Sequence, residues 1–509
     1  MSEQSGPLTG AQAPPVRPGA AEPSVAGAQN PAGTPDPAGP GEIRPDTRVV
    51  VVGGGPGGYE AALVAAQLGA QVTVVEKEGL GGAAVLTDVV PSKTLIATAE
   101  LMTLVDGAHE LGVRFPGGGD RDPEALLSVD LGRINERVRA LAQTQSQDVH
   151  RRLEKEGVRI LAGTGRLASP QRVEVALGDG GSTILDADVV LLATGAHPRT
   201  LPDAMPDGER ILTWTQLYHL DRLPERLVVV GSGVTGAEFA SAYDALGADV
   251  VLVSSRDRVL PGEDADAAEV IEEVFGRRGM TVLSRSRAAC VTRTRDGVLV
   301  TLADGRTVEG SHCLMAVGSV PNTAGLGLED AGVKLAQSGH IEVDRVSRTT
   351  ARGVYAAGDC TGVLPLASVA AMQGRIAMWH ALGDAVAPLD LRTVSANIFT
   401  APEIATVGWT QAQIEAGEAQ GEVVKLPLAG NPRAKMQGIH DGFVKLFCRT
   451  GSGTVIGGVV VAPRASELIF PVTLAVAHRL TVDEVAHAFT VYPSLSGSIA
   501  EAARRLHNS

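Results

Sequence analysis

Val49-Val50-Val51-Val52-Gly53-Gly54-Gly55-Pro56-Gly57-Gly58 is the stretch that decides the fold. Four β-branched residues in a row read as a strand buried on both faces, as in a parallel sheet. The glycines that follow have separate mechanical tasks. Gly53 permits a tight turn, Gly55 lets backbone approach a pyrophosphate, and Gly58 lets the next helix pack closely on the strand. An alanine-rich helical stretch over residues 59–68 comes next, then a second strand over 71–75 that ends on Glu76. The helix N-terminus offers unpaired N–H groups and partial positive charge to phosphates. Glu76, eighteen residues past Gly58, is placed to hold both hydroxyls of a ribose. Strand, glycine turn, helix, strand and acid together read as a dinucleotide site.

The pattern recurs. Arg226-Leu227-Val228-Val229-Val230 runs into Gly231-Ser232-Gly233-Val234-Thr235-Gly236, then a helix over 237–246 and a strand over 250–253. A chain with two such units holds two dinucleotides, and a flavin with a nicotinamide is the pair that exchanges a hydride. At the spacing where the first unit has Glu76, the second has Ser254, followed by Ser255, Arg256, Asp257 and Arg258. Without a carboxylate nothing repels a 2′-phosphate, and Arg256 or Arg258 is available to pair with one, so NADPH is admitted alongside NADH. The alternative reading is that these arginines only solvate a turn. Two further strands end in small residues, at Thr194-Gly195 and at Val317-Gly318, and read as crossings between nucleotide units. Gly353-Val354-Tyr355-Ala356-Ala357-Gly358-Asp359 adds a strand whose terminal aspartate can accept a hydrogen bond from a flavin ribityl hydroxyl.

Composition narrows the class. At 509 residues the chain calls for several domains, and 61 glycines with 44% apolar residues suit a glycine-looped α/β protein. A formal charge of −14 repels phosphate backbones, which argues against nucleic acid. No apolar run reaches the roughly 18 residues that a membrane helix needs. Cys290, Cys313, Cys360 and Cys448 form no close pair and read as reduced thiols of a cytoplasmic protein, and no metal site is expected. Residues 1–46, rich in Pro, Ala and Gly and without periodicity, read as a disordered tail.

In order and spacing these elements resemble the pyridine nucleotide–disulfide oxidoreductase family over residues 48 to about 505. Thr400-Ala401-Pro402-Glu403-Ile404-Ala405-Thr406-Val407-Gly408 and Asn431-Pro432-Arg433-Ala434-Lys435 resemble its dimerisation domain. The resemblance implies an FAD site at Gly53, Gly55, Gly58, Glu76, Gly165, Thr194, Gly195, Asp359 and Ala367. It implies an NAD(P)H site at Gly231, Gly233, Gly236, Arg256 and Gly318. Lys93 and Glu238 are implied to pair beside the flavin, where a cation stabilises negative charge in a water-poor site.

The resemblance then breaks in one place. Members of the family carry two cysteines between a glycine pair and Pro-Ser-Lys. Here that stretch is Gly81-Gly82-Ala83-Ala84-Val85-Leu86-Thr87-Asp88-Val89-Val90-Pro91-Ser92-Lys93, which puts Ala84 and Val89 at the cysteine positions. The family's catalytic His and Glu, given by the partner subunit, align with Tyr492 and Gly497. Thiols and base are lost together, and a base without thiols has no proton to move. The combination resembles a quinone-reductase branch of the family, and implies a planar acceptor beside Ala84 and Val89 with the Tyr492 hydroxyl as hydrogen-bond donor. His487, on a helix expected over 482–489, is a weaker substitute base.

The expected fold is thus α/β, with two Rossmann-like dinucleotide-binding domains and a C-terminal α+β dimerisation domain. The boundaries read as a tail over 1–46, FAD-binding parts at 47–198 and 324–389, an NAD(P)-binding domain at 199–323 and a dimerisation domain at 390–509. The expected activity is that of a homodimeric FAD-dependent NAD(P)H dehydrogenase for a quinone or similar acceptor. Pyridine nucleotide transhydrogenation and a non-catalytic redox-sensing scaffold stay open beside it.

Overall fold

The valine run becomes the centre of the first sheet. In the computed structural model, which describes residues 46–113 and 128–507, β1 (Arg48–Val52) buries Val49 to Val52 almost completely. The tail expected over residues 1–46 lies outside the described residues apart from its last member. β1 leads through the glycine turn into α1 (Pro56–Gln67), then β2 (Gln71–Glu76), which pairs in parallel with β1. The helix starts three residues before the stretch expected from sequence, because Pro56 and the two glycines after it form its first turn. α2 (Gly82–Leu86), α3 (Val89–Asp106) and α4 (Leu131–Lys155) follow.

β3 (Arg159–Ser169) runs parallel to β2 as far as Ala162, then continues as the first strand of an antiparallel meander with β4 (Arg172–Leu177) and β5 (Ser182–Asp186). β6 (Val189–Leu192) returns to the other side of β1, and the strand Val354–Ala356 closes that edge. The helix Ala367–Ala381 meets α1 at backbone distance, since a Cβ on Gly374 would lie 2.0 Å from the Gly57 carbonyl oxygen. That contact ties the late strand and helix to the first glycine turn.

A second parallel sheet repeats the plan. Its order is Thr281–Leu283, Asp249–Val253, Arg226–Val230, His312–Met315 and Ile211–Thr213, with α5 (Val234–Ala245) following the glycine turn. It too carries a three-stranded antiparallel meander, Ala288–Arg293, Val298–Leu302 and Thr307–Gly310. The two expected crossings meet each other, because Ala196–Pro198 and Ser319–Pro321 pair as an antiparallel ribbon.

The C-terminal part is an antiparallel five-stranded sheet whose inner strand, Val455–Ala462, is buried along its whole length. Helices Phe470–Ala477, Val482–His487 and Gly497–His507 belong to this part, the second ending two residues short of expectation. Lys445, inside this sheet and 1% exposed, reaches both oxygens of Asp264 at 2.8 Å and Asp266 at 2.6 Å. Those aspartates stand at the start of the helix Ala265–Arg277, so a buried ion cluster fastens the second sheet to the third. No helix of the described residues is long and apolar enough to cross a membrane.

Candidate active site

The first glycine turn is shaped for a phosphate. Gly53 has φ +103°, and a Cβ there would lie 2.2 Å from the Ala193 carbonyl oxygen. A Cβ on Gly58 would lie 1.9 Å from the Gly53 oxygen, so only glycine lets α1 start against β1. Gly55 N-caps α1 with no side chain, and no acid stands in the first turn, which leaves the helix N–H groups to an anion. Glu76 fastens this loop. One carboxylate oxygen accepts the Gly54 N–H at 2.6 Å, and the other accepts Glu78 N–H at 2.7 Å and Gly79 N–H at 3.2 Å. Two carboxylate oxygens offer about four acceptor sites, so capacity is left for a ribose hydroxyl. This cradle fits an FAD.

The second turn is built alike. Gly231 has φ +115° and its absent Cβ would lie 2.2 Å from the Ala316 oxygen, while a Cβ on Gly236 would lie 1.8 Å from the Gly231 oxygen. Gly233 N-caps α5 without a side chain and faces open space. The structure differs from the sequence expectation at Ser254. Its hydroxyl is fully buried beneath the loop and lies 2.6 Å from the Ser232 hydroxyl. Ser254 therefore fastens the second loop as Glu76 fastens the first, and the ribose end is left to its neighbours. Arg256 is exposed and Arg258 half-buried. Arg285, exposed at φ +51° beyond the adjacent strand, gives its N–H to the Arg256 carbonyl at 2.7 Å. Sequence reasoning missed Arg285, because the register that brings it beside Arg256 is a property of the sheet.

An ion pair joins α3 to α5. Lys93 Nζ is 2.7 Å from Glu238 Oε2, with the carboxylate side chain 5% exposed and the lysine 28%. The other Glu238 oxygen accepts the Phe399 N–H at 2.8 Å, and the Phe399 ring lies 4.7 Å from the ammonium. One carboxylate thus joins α3, α5 and the strand region before the cis Ala401–Pro402 bond. Asp359 follows its strand in a short 3-10 turn, and burial raises its pKa while His340 opposes the shift. Thr194 and Asn322 exchange two hydrogen bonds at 2.7 and 2.8 Å across the crossing ribbon. Gly195 (φ +67°) and Gly318 (φ +93°) flank that ribbon in open space. Ala367 opens its helix, and the position a Cβ would take on Gly165 faces Val52.

The relay positions hold apolar groups as expected. Ala84 is half-buried, Val89 is 36% exposed, and Gly82 brings this segment against the first loop, its Cβ position 2.8 Å from Gly55 Cα. Between them stands Asp88, which the sequence reading passed over. Tyr492 is not brought to the ion pair within one chain. It is 82% exposed, beside Phe489 and Val491, which are also open to solvent. His487 is exposed and its ring nitrogen contacts the Asp483 carbonyl at 2.7 Å, a helix-face arrangement with no link to the centre.

Comparison with known proteins gives the same picture. The chain is 58% identical over 469 residues to a protein of Mycobacterium tuberculosis named NAD(P)H dehydrogenase (quinone), covering 90% of this chain and 94% of that one. It is 34% identical over 461 residues to the dihydrolipoyl dehydrogenase of Zymomonas mobilis, covering 89% and 96%. The crystal structure of LpdA from Mycobacterium tuberculosis superposes with a TM-score of 0.85 at 57% identity, covering 90% of this chain and 99% of that one. A flavoprotein disulfide reductase of Escherichia coli, at 23% identity and a TM-score of 0.79, shares the fold. Residues 47–374 match the pyridine nucleotide-disulphide oxidoreductase family and residues 394–503 its dimerisation domain, and the chain belongs to that family.

Proposed function

We propose that the protein is an FAD-dependent NAD(P)H dehydrogenase that passes electrons to a quinone or a similar small acceptor without a disulfide relay. The observation that carries this reading is the intact Lys93–Glu238 pair beside a segment in which Ala84 and Val89 replace both thiols. FAD, when bound, would supply the two-electron chemistry between nicotinamide and acceptor. The protein's part is positioning and charge. The helix N-termini at Gly55 and Gly233 would hold the two pyrophosphates, and Glu76 would hold the first ribose. Lys93, fixed by Glu238 and by the face of Phe399, keeps a cation where negative charge collects.

The dimerisation domain supports a homodimer, in which the exposed Tyr492 completes the acceptor site of the other subunit. Exposed Arg256, with Arg258 and Arg285 beside it, favours NADPH over NADH at the second turn. The four free cysteines favour a cytoplasmic setting.

The test is an anaerobic spectrum of the FAD-loaded dimer. NADPH should bleach the flavin, menadione should restore it rapidly, and dihydrolipoamide with NAD⁺ should give no turnover above free-flavin background. Dihydrolipoamide turnover matching the menadione rate would refute the reading. Reoxidation by oxidised pyridine nucleotide alone would move it to transhydrogenation.

A further inference from the structure

One ionisable group at the centre has no part in the chemistry described so far. Asp88 stands directly before Val89, at the N-cap of α3, yet its side chain caps nothing. Its backbone is pinned on both sides: its N–H donates to the Ala83 carbonyl at 2.8 Å, and its own carbonyl accepts the Ser92 N–H at 2.8 Å. Lys93 of the same helix, Glu238 of α5 and Asp359 of the 3-10 turn act electrostatically on this half-buried side chain, which in turn acts on Tyr218 of the 3-10 helix Trp214–His219. Arg139 of α4, the nearby second cation, is engaged by the Tyr218 carbonyl. Of the charges that act on Asp88, Lys93 is the one cation, and Glu238 already holds it at 2.7 Å. Asp88 is the carboxyl left over.

We propose that Asp88 is the proton store of this centre: it takes a proton from solvent when two electrons arrive beside Lys93, and gives that proton up when they leave. Burial pushes its pKa up to about 6; the attraction of Lys93 opposes that rise, and repulsion by Glu238 and Asp359 adds to it. A group so placed changes protonation when the nearby charge changes. The balance follows from the acceptor. A quinone becomes a hydroquinone by gaining two electrons and two protons. A hydride brings both electrons and one proton. For the other, the O–H bond of the Asp88 carboxyl breaks, an O–H bond forms on the acceptor oxygen, and water reprotonates the carboxylate in the next cycle. The delivery half of this role rests on the quinone reading above; the uptake half does not.

The experiment separates the two. The midpoint potential of the bound flavin is measured against pH with a reference dye and no quinone, for wild type, Asp88→Asn and Asp88→Glu. One extra proton per two electrons changes the reduction equilibrium tenfold per pH unit, or about 30 mV. Wild type and Asp88→Glu should show this added slope above about pH 6, and Asp88→Asn should lack it. An Asp88→Asn slope equal to wild type overturns the proposal. Reoxidation by menadione should slow on the order of a hundredfold in Asp88→Asn. If no variant is reoxidised by menadione while the slope difference holds, the acceptor assignment fails and the proton uptake stands. Rapid reoxidation of Asp88→Asn overturns the delivery role. Bound-flavin content of each variant reports folding.

Discussion

Grafting Glu at position 254 tests whether the two nucleotide loops are fastened alike. In the first loop Glu76 reaches bare backbone, accepting the Gly54 N–H at 2.6 Å, and a Cβ on Gly54 would sit 3.0 Å from that oxygen and 2.8 Å from Leu80 Cδ2. In the second loop the Gly54 counterpart is Ser232, whose hydroxyl lies 2.6 Å from that of Ser254. Ser254→Glu alone must therefore force a larger, charged side chain against Ser232 at a position with no exposure. Losing the buried hydroxyl pair costs about 1 kcal/mol. Overpacking adds about 1–3 kcal/mol, for a total of roughly 2–4 kcal/mol. Ser232→Gly with Ser254→Glu removes the side chain that the carboxylate would meet, leaving the backbone N–H of residue 232 for it to bind, and should recover most of that loss. The double variant also carries an acid near the ribose end, and kcat/KM for NADPH should fall at least about tenfold relative to NADH. Urea melts and kcat/KM for both nucleotides, on wild type, single and double variants, decide the matter. A single variant as stable as the double one would show that the loops do not correspond. A stable double variant with an unchanged nucleotide ratio would remove the 2′-phosphate from this corner.

Two further outcomes are expected. Tyr492→Phe removes a donor and keeps the ring, and a lost hydrogen bond of about 1–2 kcal/mol should slow quinone reoxidation roughly five- to thirty-fold. Stopped-flow measurement should find flavin reduction by NADPH unaltered, and an unchanged oxidative step would leave Tyr492 as packing only. Asp88 also predicts how stability varies with pH. Its folded pKa is raised from 3.8 to about 6, so its favourable contribution is complete below about pH 4 and is lost as pH rises through about 6. Two units correspond to about 3 kcal/mol, so Asp88→Asn should exceed wild type by that amount above about pH 7 and match it below about pH 4. A difference in urea-unfolding free energy that does not change with pH would refute the assignment.

The parts of the site that were legible in the sequence are those where one residue has one possible cause. Gly53 and Gly58 are required by close backbone contacts with Ala193 and with each other, and no other residue type fits. The Lys93–Glu238 pair was legible through the family resemblance, and the structure brings both side chains to 2.7 Å. What could not be read depends on distant chain segments meeting. Ser254 was read only as the absence of a carboxylate, because its burial is created by Ser232 and the loop above it. Asp88 drew no reading from the sequence, because the charges that act on it come from α5 and from the 3-10 turn at Asp359. β3 was not separable from its meander by pattern, because the same strand is parallel at Ala162 and antiparallel from Gly163.

The missing thiols also change what can poison the protein. Three of its four cysteines, Cys313, Cys360 and Cys448, are buried, and burial pushes the Cys360 thiol up to about 11, far from the reactive thiolate form. Cys290 alone has partial access to solvent, on a strand of the second sheet's meander. Trivalent arsenicals, alkylating agents and peroxides disable dithiol enzymes by capturing the sulfur through which the electrons must pass. Ala84 and Val89 offer such reagents nothing to capture. On the proposed path no electron passes through a sulfur at these two positions, so oxidation or alkylation of a thiol there cannot interrupt it.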